Sequence, residues 1–252
     1  MSVRVLWAFA LFVSATLATQ SASAALVLGG NAEFTFNNNS ILFAGGVGPL
    51  SMERHYGTNV ETATGAELLA GIGGDVINIP GSGLVSLGAN VNGLSVTSPA
   101  GGRARQSTNL DVDFANVLAT WGAGERIGID SVLRTEVNPL FGGGVIGIGD
   151  YSLENAGGTL TLFNNLSFRA NAFTLGNASF TDLGNGFSLT GDLLVGTDLT
   201  TLTGVATGTN VGSFSMTTTA VPEPSSFALL GAASIGMTLY RRRKRMLNQT
   251  VA

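Results

Sequence analysis

From Val145 to Thr219 the chain is a run of short apolar or Thr-rich stretches, each cut off by Gly or Asn within about ten residues, and this punctuation limits the folds open to it. Gly157-Gly158, Asn164-Asn165, Gly176-Asn177, Gly184-Asn185-Gly186 and Gly208-Thr209-Asn210 supply the positive-φ positions that tight turns require. Between them the spacing predicts strands over Val145–Leu153, Thr159–Phe163, Leu166–Leu175, Ala178–Leu183, Phe187–Val195, Leu199–Ala206 and Val211–Thr219. In Phe187–Val195 the apolar Phe187, Leu189, Leu193 and Val195 share one parity, and Ser188, Thr190 and Asp192 take the other; only Leu194 breaks the alternation of a half-buried strand. The parity of the Leu166–Leu175 run switches between Ala172 and Phe173, which calls for a bulge or a short turn. Seven strands at this spacing predict an all-β fold, a Gly/Asn-rich β-sandwich, with a β-helix or a barrel-like closure as alternatives. The 36 glycines in 252 residues are about twice the usual ~7% and suit turns better than helices.

The first half carries weaker signals. Leu26–Leu28, Glu33–Phe36, Ile41–Ala44, Gly83–Leu87 and Asn90–Thr97 read as strands, and Val60–Leu69 and Phe114–Trp121 as short helices. An outer-membrane barrel would be the other all-β option, but the sequence shows no aromatic girdles.

The two ends do not read as part of this body. Met1–Ala24 has one cation, Arg4, an apolar run from Val5 to Val13, and a small-residue stretch ending Ala22-Ser23-Ala24, the pattern of a signal peptide cleaved after Ala24. The opposite end has three parts in order: Val221-Pro222-Glu223-Pro224, an apolar run Phe227–Tyr240, and the basic block Arg241-Arg242-Arg243-Lys244-Arg245. Two prolines around Glu223 exclude helix and sheet pairing there and predict an extended, exposed segment that an enzyme can grip. The fourteen residues of the apolar run cover only ~21 Å as a helix, a marginal transmembrane length that Ser225, Ser226 and snorkelling arginines extend. Five consecutive cations hold their end in the cytoplasm. The expected organisation is therefore a signal peptide (1–24), an all-β exported domain (25–220), a sorting segment (221–245) and a short cytoplasmic end (246–252).

Pro222-Glu223-Pro224, followed at once by a Ser-Ser-Phe-Ala-Leu-Leu-Gly helix and an Arg cluster, resembles the PEP-CTERM sorting signal of Gram-negative bacteria. That resemblance covers residues 221–245 and implies handling by exosortase, a membrane-embedded protease-transpeptidase, in organisms that make exopolysaccharide. It implies a transient stay in the inner membrane, then the outer envelope or the extracellular matrix, with surface polysaccharide as a partner. It is silent about the body.

Charge and chemistry narrow the body's function. Residues 25–220 hold six Arg, no Lys and fifteen acidic residues, a net charge of −9, so the basic face that nucleic acid requires is missing. Zero Cys excludes disulfides, thiolate metal sites and a Cys nucleophile. His55 is the single imidazole and cannot build a His-based metal site alone; it reads as a polar surface or turn residue rather than a catalytic group. Asn109, Asp111, Asp113 and Asp130 could offer oxygens to Ca²⁺, with Asp111 and Asp113 as the weak candidates and no cofactor otherwise expected. The pairs Asp111 with Asp113 and Glu125 with Asp130 could in principle cut a glycosidic bond, at a level near background for a chain with this many acids. The expectation is a non-enzymatic envelope or matrix protein, structural, adhesive or glycan-associated, and the alternative is a secreted polysaccharide hydrolase using paired carboxylates.

Overall fold

A computed structural model describes residues 24–43, 48–57, 62–77, 83–98 and 101–221. They form one compact unit that ends at Val221. Its strands are β1 (Ala25–Asn37), β2 (Leu50–Tyr56), β3 (Asp75–Val76), β4 (Leu84–Val91), β5 (Asp111–Val112), β6 (Arg126–Val137), β7 (Val145–Ala156), β8 (Thr159–Asn164), β9 (Ala170–Asp182), β10 (Phe187–Val195) and β11 (Asn210–Val221). Three short helices accompany them: α1 (Gly65–Leu69), α2 (Val117–Thr120) and α3 (Thr197–Thr203).

The all-β reading holds, but the sandwich does not form. Antiparallel pairing runs β6–β4–β1–β11–β10–β9–β8–β7, and β7 pairs back onto β6, closing an eight-stranded barrel. The barrel-like alternative is thus the observed one. Eight strands enclose an interior that side chains can fill; here Phe34 stacks near Phe36 and meets Phe214 edge-on at 5.1 Å and Tyr151 at 4.9 Å. Closure also removes the exposed edges an open sandwich would leave.

The wall has the polarity of a water-solvated barrel. Phe214 and Met216 of β11 point inward, while Ser213, Ser215, Thr217 and Thr219 lie on the outer face; Phe34 and Phe36 of β1 alternate in the same way with Glu33 and Thr35. A bilayer-spanning barrel needs the inverse arrangement.

β6 is the hinge of the topology. Its first half pairs with β4 (Val91↔Ile129) and its second half, on the same edge, with β2 (Tyr56↔Val132, Leu50↔Val137). β2 and β4 must diverge, and a cleft opens between them. On the outside, α1 packs Leu68 with Tyr56, Val132 and Leu166 into a second small core. Thr64 caps α1 in a reciprocal capping box with Glu67.

Several boundaries differ from the sequence reading. The bulge expected at Ala172–Phe173 is present: Leu162 faces Phe173 and Phe163 faces Asn171, leaving Ala172 as the extra residue, so both it and Phe173 are buried. The turn expected at Gly176-Asn177 is not a turn. β9 runs straight through it with a bulge at positive-φ Asn177, merging two expected strands. Leu199–Ala206, expected as a strand, is α3 followed by a turn, because Gly196 serves as its N-cap and left-handed Gly204 as its C-cap. Ile41–Phe43 form turns, and the two expected strands of the first twenty residues of the body fuse into β1 through Gly29-Gly30. The expected helices shorten to α1 and α2, and Gly83–Leu87 and Asn90–Thr97 become the single β4.

Candidate functional site

The beginning and end of the barrel meet at one pole. β1 starts at Ala25, directly after the expected signal cleavage point, and β11 ends at Val221, the first residue of the expected sorting segment. The two strands are antiparallel, with Leu26 facing Val221 and Val27 facing Ala220. Chain entry and chain exit therefore lie side by side. The other edge of β1 is held there by β5, where Ala25 faces Val112 and Leu26 faces Asp111. The other edge of β11 is held by the β9–β10 turn: the Ala220 N–H donates to the Asn185 carbonyl at 3.0 Å. Thr218 Oγ1 accepts from the Phe187 N–H at 2.9 Å and donates to the Phe187 carbonyl at 3.2 Å. The last strand is thus clamped on both edges to within a residue of Pro222.

Ala24 lies just before β1. Ala22, Pro222, Glu223, Pro224, the apolar run and the cluster Arg241–Arg245 lie outside the described residues. Among the described residues no helix is long and apolar enough to cross a membrane.

His55 departs from expectation. It is not a surface or turn residue but sits in β2, 6% exposed, with Nε2 3.0 Å from Ser131 Oγ. Burial holds its pKa below the ordinary 6.5, and Asp75, its cross-strand neighbour on β3, pulls the other way. Gly57 makes room for the ring, since a Cβ there would stand 2.7 Å from His55 Cε1. No local signal in the sequence joins residues 55, 75 and 131, which the pairing of β2 with β3 on one edge and β6 on the other brings together. Ser, His and Asp together suggest a nucleophile with its base, but the arrangement has the wrong order. His55 and Asp75 line the cleft of about 570 Å³ between β2–β3 and β4, whereas Ser131 is 2% exposed and lies off that lining. A serine shut behind its own base cannot meet a substrate.

The candidate carboxylates are engaged locally. Asp111 is exposed on the two-residue β5, too short to sustain a face of alternating acids. Asp113 accepts from the Ala115 N–H and Asn116 Nδ2 in a turn. Asn109 Oδ1 accepts from the Arg126 N–H. Asp130 is gripped in a two-pronged fashion by Arg105 at the floor of a cleft of about 430 Å³. Glu125 accepts from the Gly122 N–H. Among the described residues no three of His, Cys, Asp and Glu come together as a metal cluster.

A second ion pair is entirely interior. Arg103 Nε donates to Asp150 Oδ2 at 2.8 Å, with both side chains at 0% exposure, and pins the 101–108 segment over β7. Desolvation holds the Asp150 carboxyl above its usual range, against the pull of Arg103. An apolar hollow of about 180 Å³ opens elsewhere on the wall, among Leu69, Ile146, Ile148, Phe168, Leu199 and Leu202.

Comparison with known proteins places one feature. Residues 220–244 match the family model described as the PEP-CTERM protein-sorting motif. No curated protein and no solved structure matches the chain.

Proposed function

With a PEP-CTERM sorting motif as the premise, we propose that this chain is an exported protein delivered by its N-terminal signal peptide, held in the inner membrane by Phe227–Tyr240 and Arg241–Arg245, and processed by an exosortase-type protease-transpeptidase at Val221–Pro224. The body released or transferred in that step is a non-enzymatic surface or matrix module. The observation that carries the reading is the placement of the motif: the match begins at Ala220, and the last barrel strand ends at Val221. Removal of everything beyond that point leaves every barrel strand in place.

Surface polysaccharide is the proposed partner. Across β1, β4, β10 and β11 the outer wall offers hydroxyl and amide groups from Thr35, Ser86, Thr190, Thr217 and Asn31, and Thr35 and Ser86 share a hydrogen bond of 3.0 Å across β1 and β4. Such groups can exchange hydrogen bonds with sugar hydroxyls.

Mass spectrometry of both termini, after separation of inner membrane, outer envelope and medium, tests the reading. The expected product begins at Ala25, ends within Val221–Pro224 and lies outside the inner membrane. A product that retains Arg241–Arg245 and stays in the inner membrane would reduce the tail to an anchor and remove the matrix role.

A further inference from the structure

We propose that the folded barrel itself gates the sorting cleavage: the end of β11 must unzip from β1 before the processing enzyme can grip its substrate. The inference rests on the proposed processing at Val221–Pro224. A recurring way to recognise a polypeptide segment is to hold it extended and pair with its free backbone edge. Through Ala220 the chain has no such edge. β1 covers one side through Val27↔Ala220 and Leu26↔Val221; on the other, the Asn185 carbonyl takes the Ala220 N–H and Phe187 takes both hydrogen bonds of Thr218 Oγ1.

Chain length leaves little slack: the motif ends three residues after Val221, at most ~3.6 Å of chain each, and only five residues separate Val221 from Phe227, where the apolar run begins. Release of the two terminal pairs frees Ala220 and Val221, and of Thr218 and Thr219 with slightly more fraying, which provides an upstream segment of two to four residues. The remainder of β11 stays in the wall from Asn210 onward, so the barrel core is not opened.

The test is a pulse-chase of the full-length chain in its own host, with loss of the tail followed by mass. One variant carries Gly-Ser-Gly-Ser-Gly-Ser-Ala-Val inserted after Val221, which moves an intact Ala-Val-Pro-Glu-Pro away from the wall. The other carries Leu26→Cys with Val221→Cys, a cross-strand pair in a chain that otherwise has no Cys. The spacer is expected to speed processing at least threefold. The cross-linked form is expected to slow it at least tenfold and to recover on reduction, which also shows that the variant folds and is recognised. Wild type and spacer chain processed at the same rate would sink the gate and leave sorting intact. A wild-type chain that never loses its tail would sink both.

Discussion

At the scale of single residues, the body is held by buried polar pairs that charge alone would not reveal. Arg103 and Asp150 are completely enclosed, so removal of one partner leaves an uncompensated charge. Asp150→Asn or Arg103→Met is expected to cost about 3–5 kcal/mol in chemical denaturation, and Arg103→Met combined with Asp150→Leu to recover much of that loss. A double variant no better than the singles would show that the pair contributes through more than charge matching. His55 gives the pH dependence a sign. Its pKa is lowered in the fold by burial, so below its ordinary value of 6.5 the unfolded chain takes up a proton that the native chain refuses. Stability is then fully present above pH 6.5 and falls as the pH drops below it. Thermal midpoints measured from pH 7.5 to 5 should show this decline, and His55→Gln should flatten it; an unchanged slope in the variant would assign the decline to carboxylates instead.

At the scale of elements, glycine fixes how closely strands approach. Gly212 of β11, at φ +155°, faces Phe36 of β1, and a Cβ there would stand 2.0 Å from the Thr35 carbonyl oxygen. Gly212→Ala is expected to destabilise by about 1–3 kcal/mol through backbone strain alone, with the midpoint of urea unfolding as readout. The sequence made β10 legible to the residue, and the Ala172 bulge too, because a half-buried strand writes its register into alternating side chains. β6 stayed hidden for the opposite reason. Its middle is buried on both faces, yet it carries Asp130 and Arg134, whose partners come from segments 20 or more residues away. α3 was misread because threonines at strand-like spacing mask a helix, although Gly196 and Gly204 mark its two ends. At the pole, the sorting motif was legible as a local pattern; the adjacency of the two strand ends was not, since it depends on β1 and β11 pairing across nearly two hundred residues.

At the scale of the whole molecule, closure explains how an acidic chain without disulfides holds together. The ring leaves no strand of the barrel dependent on either terminal segment. Residues 25–221 expressed alone are therefore expected to give a monomeric, cooperatively unfolding β protein; a molten, aggregating product in circular dichroism and sedimentation would contradict the completeness of the barrel at Val221. The net charge of −9 over residues 25–220 favours mutual repulsion between copies at low salt.

The neighbouring positions of Ala25 and Val221 also have a mechanical meaning. Tension applied between these points, as on a chain still tethered at both ends, pulls β1 and β11 apart from their adjacent tips. The load then falls on one rung of the ladder at a time, as in a zipper, instead of on all rungs together in shear. By this geometry the closed barrel yields more readily to a pull at its own ends than to a load spread across its wall, and the peeling starts at Leu26 and Val221.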